Sequence, residues 1–147
     1  MHQTATPPTL DDSVVLAACD AYRSSLSRSL EAARRHDQLR QRLHAIESVH
    51  ALVRLVFGLE GQPVPDADGL PDALASAEEL QDWPAGYLRW ALLNLIRDPI
   101  PKRQLELARR VDRLLAKRGI AASVSSDAQA PTLAGWRLTT GGARRAR

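Results

Sequence analysis

Residues 13–35, SVVLAACDAYRSSLSRSLEAARR, decide the fold class. Val15, Cys19, Tyr22, Leu26, Leu30 and Ala33 recur every three or four positions. At 100° per residue they fall on one narrow face, and Arg28 and Arg35 point away from it. Asp11, Asp12 and Ser13 stand at the start of this run. Their side-chain oxygens can accept bonds from the first unpaired amides of a helix, and the carboxylates suit its positive end. An amphipathic helix is predicted, preceded by a loose arm over residues 1–9 that contains Thr4, Thr6, Pro7, Pro8 and Thr9.

Downstream, the apolar phase is lost between Arg34 and Arg42, so the helix either ends near His36 or continues as one long bent rod. The pattern resumes with Leu39, Leu43, Ile46, His50, Val53 and Phe57, and Ala45, Val49, Leu52 and Val56 form a second stripe beside it. Two stripes predict a well-buried helix. Gly58 and Gly61 end it, and Pro63, Pro65, Asp66, Asp68 and Gly69 make a loop. A short helix follows near Asp72–Gln81, with Ser76 and Glu79 at capping-box spacing as an alternative start. After Trp83 and Pro84, the stretch to Arg97 is apolar almost all round and is expected in the core. Asp98, Pro99 and Pro101 break it, because proline lacks an amide donor and restricts the residue before it. The last helix, from Lys102, ends at Gly119.

These elements predict an all-α protein: a single-domain bundle of about five helices over residues 10–120, with a flexible basic tail at 121–147. Composition agrees, since only 4% of the 147 residues are aromatic and the helix formers Ala, Leu, Arg, Gln and Glu dominate. In the tail, Trp136 stands beside Arg137, where it could stack on a base or dock the tail on the core.

Charge is unevenly distributed. The net value is +3. Residues 58–86 hold seven acidic groups and no Lys or Arg, whereas residues 87–120 hold nine basic and three acidic groups. Within the last helix, Leu107, Ala108, Val111, Leu114 and Leu115 share one side. Lys102, Arg109, Arg113 and Lys117 gather on the other, with Arg103 and Arg110 at its edge and Glu106 among them. Arg outnumbers Lys 18 to 2, and the guanidinium fork matches phosphate oxygens better than an ammonium does. Lys102, Arg103, Arg109, Arg110, Arg113 and Lys117, with Arg28 and Arg35, are therefore the candidate contacts for a nucleic-acid backbone. The competing reading is a merely solvated face on a helical protein-interaction module, in which the two stripes of Leu39 to Phe57 pair with another helix, or on an antitoxin or inhibitor whose tail wraps a partner.

Chemistry finds little support. Cys19 lies on the first apolar stripe without a neighbouring base, so its thiol reads as structural. One cysteine cannot form an intramolecular disulfide, which suits a reducing cytoplasm. Glu47 and His50 have the Glu-x-x-His spacing of helical di-iron sites, with His44 one turn earlier, but such sites need two motifs and two further glutamates. His50 on the main stripe reads as a core or boundary histidine. There is no glycine-rich phosphate loop, and no apolar run approaches the length of a membrane span. A non-enzyme without cofactor or metal, in the cytoplasm and off the membrane, is the expectation. The helix after Trp83-Pro84 is too apolar to read bases as a recognition helix.

Two segments carry a resemblance: Ala51-Leu52-Val53-Arg54-Leu55-Val56-Phe57-Gly58-Leu59, and Asp82-Trp83-Pro84 leading into Tyr87, Leu88, Trp90 and Leu92. Both are similar to stretches of the helical small subunit of multi-subunit CRISPR effector complexes. The resemblance implies a non-catalytic subunit, present in several copies, that lines a ribonucleoprotein and touches nucleic-acid backbone. Independently, the adjoining acidic and basic segments could join successive copies head to tail, beside other protein subunits.

Overall fold

The computed structural model describes residues 12–120, and all regular structure among them is helical. The order is α1 (Asp12–Arg34), α2 (Gln38–Leu59), α3 (Leu70–Leu80), α4 (Tyr87–Arg97) and α5 (Pro101–Lys117). Helices α1–α4 belong to one compact unit ending at Pro99, and α5 belongs to a second that begins at Ile100. The arm at 1–9 and the tail at 121–147 lie outside the described residues.

The hairpin alternative is the one adopted. The His36 amide donates to the Ala33 carbonyl (3.1 Å) and the Asp37 amide to the Ala32 carbonyl (2.9 Å), the paired bonds that close a helix through one left-handed residue. His36 supplies that conformation at φ 56°. Asp37 then opens α2, its Oδ1 accepting from the Arg40 amide at 3.1 Å. The two helices run back along each other. Ser29, fully buried, donates from Oγ to the Gln41 carbonyl at 2.9 Å near the turn, and at the far end Gly58 lies beside Val15.

The same terminating device recurs. Gly61 (φ 63°) closes α2, Asp82 (φ 57°) closes α3 and Gly119 (φ 69°) closes α5. In each, the following amide reaches back to a carbonyl: Gln62 to Phe57, Trp83 to Glu78 and Ile120 to Leu115. Gly58 does not end α2 but sits in its last turn. Helix α3 starts earlier than Ser76–Glu79 spacing implies, because Pro71 occupies its first turn, where a missing amide costs nothing. Ser76 instead donates to the Asp72 carbonyl inside the helix. Helix α4 ends differently, at an extended Asp98 that Pro99 prevents from continuing.

Burial follows the expected face on α1, where Val15, Cys19, Tyr22, Leu26 and Leu30 are all buried. On α2 the expectation is half corrected. The second stripe provides the buried positions Ala45, Leu52 and Val56, joined by Ser48, Ala51, Leu55 and Leu59. The main stripe is buried only at Val53 and Phe57, while Leu39, Leu43, Ile46 and His50 face outward. Helix α4 is also corrected: Leu88, Ala91, Leu92 and Leu95 are buried, but Trp90, Leu93 and Ile96 are exposed. An 11-residue helix packed against α2 and α3 turns only one arc inward.

A polar knot fixes the α2–α3–α4 junction. The buried Gln81 donates from Nε2 to the Val56 carbonyl (2.9 Å) and to Glu60 Oε1 (3.1 Å), and its Oε1 accepts from Trp83 Nε1 (3.0 Å). Glu78, also buried, accepts from the Gly86 amide at the entrance to α4. Most buried polar groups in folded proteins are bonded in this way. Leu52→Ala should therefore lower unfolding free energy by about 2–5 kcal/mol, whereas Leu39→Ala should change it by about 0.5 kcal/mol or less. Gln81→Ala, which strands the Trp83 indole and the Val56 carbonyl, should cost about 2–3 kcal/mol. Urea unfolding checks all three.

Candidate nucleic-acid interface

Helix α5 is built to present one charged side. Pro101 takes its first turn after an extended Ile100, so no helical amide is wasted. The Gln104 amide closes the first turn onto the Ile100 carbonyl at 3.0 Å. Leu105, Leu107, Ala108, Val111, Leu114 and Leu115 are buried, together with Gln104. Leu105 and Leu114 bound the buried arc on its two flanks.

On the remaining arc, Lys102, Arg103, Arg109, Arg113 and Lys117 are exposed and Arg110 is half-buried. All six candidate residues of this helix thus share one side. Among the described residues, no ion pair or side-chain hydrogen bond engages Lys102, Arg109, Arg113 or Lys117. Glu106 is exposed among them and Asp112 is half-buried. Lys102 to Lys117 covers about 22 Å at 1.5 Å per residue.

Arg28 and Arg35 belong to the other unit. Arg28 is exposed on α1. Arg35 lies just beyond the helix, where its Nε pairs with Glu31 Oε1 at 3.0 Å. Seven residues separate them, about 10 Å of rise along the α1 axis. The Arg35–Glu31 pair is exposed, worth about 1 kcal/mol or less, and readily exchanged for another anion.

Two further cations, Arg89 and Arg97, are exposed on α4, where an apolar composition that predicts an enclosed helix masks them. Trp83 is buried as expected, but Trp90 is 49% exposed. The three rings form a ladder, Trp83 on Tyr87 at 5.6 Å and Tyr87 on Trp90 at 5.7 Å.

The residues weighed for chemistry occupy separate places. Cys19 is buried. His44 Nδ1 lies 3.2 Å from Glu47 Oε2, while His50, expected in the core or at its boundary, is exposed. No group of three or more His, Cys, Asp or Glu able to hold a metal occurs among the described residues. None of their helices is long and apolar enough to cross a membrane.

No protein-family model, curated protein or solved structure matches this chain. The α5 surface must be judged on its own geometry. Its basic groups lie opposite the buried side, so the double variant Arg109→Ala/Arg113→Ala should change unfolding free energy by no more than about 0.5 kcal/mol, as measured by urea titration.

Proposed function

We propose that the protein is a non-catalytic helical subunit that binds nucleic-acid backbone, RNA or single-stranded DNA, without sequence specificity inside a larger ribonucleoprotein assembly. The observation that carries the reading is the α5 row. Four cations, Lys102, Arg109, Arg113 and Lys117, stand on one exposed side around a single carboxylate, Glu106, and make no ion pair with a described residue. A row about 22 Å long spans about six phosphates of a strand that advances 3.4 Å per nucleotide.

Binding of this kind draws its free energy from counterion release. Arginine strengthens it, because a guanidinium can hold two phosphate oxygens at once. Arg28 and Arg35 would add a second contact from α1. A non-catalytic subunit of a CRISPR effector complex fits the same set of surfaces, and the resemblance of residues 51–59 and 82–92 supports that membership.

The test is a fluorescence anisotropy titration of the full chain with labelled single-stranded RNA and DNA at several salt concentrations. Four phosphate contacts give a slope of log affinity against log salt of about −2.8 on a single strand. Affinity should then fall about 50-fold between 50 and 200 mM salt. Arg109→Glu/Arg113→Glu should weaken binding to every sequence alike and flatten the slope by about 1.4. Absence of salt-sensitive binding overturns the proposal.

A further inference from the structure

The apolar row of α2 is occupied for only half its length. Leu39, Leu43, Ile46, His50, Val53 and Phe57 follow one another at spacings of four, three, four, three and four, the heptad pattern of a helix that seats against another helix along a single seam. Val53 and Phe57 satisfy that demand within the fold, being 8% and 4% exposed. The first three turns do not. Leu39, Leu43 and Ile46 are 70%, 51% and 39% exposed, and His50 is exposed as well.

The residues beside this open half determine what can cover it. With Leu43 and His50 at a positions and Leu39 and Ile46 at d, Arg42 takes a g position and Glu47 the following e position. In a parallel pair of helices, a g residue meets the e residue five places on in the partner. The row is therefore complementary to itself: Arg42 of each copy meets Glu47 of the other, and a two-fold axis makes the contact twice. Both side chains are exposed, with Arg42 on the Arg97 carbonyl (2.6 Å) and Glu47 beside His44. Exposed contacts of this kind exchange cheaply.

We propose that the N-terminal half of α2, Leu39 to His50, is a self-association surface that pairs in parallel with the same segment of a second copy. The exposed side chains and flanking stems offer on the order of 500 Å² per copy, which matches a transient interface rather than a permanent one. The dimer is accordingly weak and concentration-dependent. It uses a different helix from the basic row of α5, so it stands or falls apart from the nucleic-acid reading.

Sedimentation velocity of the full chain without nucleic acid, from about 1 to 500 μM, provides the test. A reversible monomer–dimer equilibrium is expected. Leu43→Glu should abolish it while leaving the helical circular dichroism unchanged, since the side chain it replaces is already solvent-facing. Arg42→Glu or Glu47→Arg alone should raise the dimer Kd about three- to tenfold, and the double exchange should restore it. Arg42 and Glu47 lie five apart, so they are not neighbours on one helix, and recovery reports contact between copies. Trp90→Glu on α4 and Arg109→Glu/Arg113→Glu on α5 should dimerise as the unaltered chain does. A chain that stays monomeric throughout, a Leu43→Glu variant that still dimerises, or a dimer lost with Trp90→Glu overturns the proposal.

Discussion

The reversal at Arg35–His36–Asp37 is the constraint on which the first unit depends. Asp37 serves two helices at once: its amide closes α1 onto the Ala32 carbonyl, and its carboxylate caps α2 through the Arg40 amide. The amide bond would form with any residue but proline, whereas the cap on α2 is what the aspartate side chain adds. Because the connection is so short, α2 must return along α1, and its Ala45, Leu52 and Val56 side meets the α1 stripe. The fully buried Ser29 belongs to the same junction, its hydroxyl donating to a carbonyl of the returning helix.

How legible this was depended on which residue marked each turn. Gly61 and Gly119 adopt left-handed conformations that glycine reaches without steric cost, and both were readable as helix ends. His36 and Asp82 perform the same task with a side chain attached. Neither type signals the conformation as glycine does, although Asp tolerates it better than most. The hairpin-or-rod question therefore could not be settled from residues alone. The Gln81 knot was equally hidden, because its partners lie up to 25 positions away and none belongs to a recurring pattern.

Periodicity identified the helices better than it identified their buried sides. It records that apolar residues share a face but not how far along the helix a neighbour covers that face. On α1 the two coincide. On α2 the neighbour's reach ends near Val53, so one continuous apolar row is interior at one end and solvent-facing at the other. On α4 the phase rests on three residues, Arg89, Asn94 and Arg97, which lie opposite the inward set Leu88, Ala91, Leu92 and Leu95 that packs against α2 and α3. The six basic candidates of α5 were legible because charge and apolar residues there segregate cleanly around one helix.

That segregation also bears on what the α5 surface could recognise. Base edges are read by paired contacts, most often Arg or Lys on guanine, and on adenine by Asn or Gln, which donate and accept at once. The one such residue on α5, Gln104, is buried with the apolar set. The outward arc offers Lys and Arg as donors and Glu106 as the acceptor, with Ala116 contributing neither. Arginine can read guanine, but only when neighbouring contacts hold it in one register. A row of long, mobile cations at intervals of seven, four and four residues imposes no such register. In the proposed reading its affinity would follow the density of phosphates rather than the order of bases.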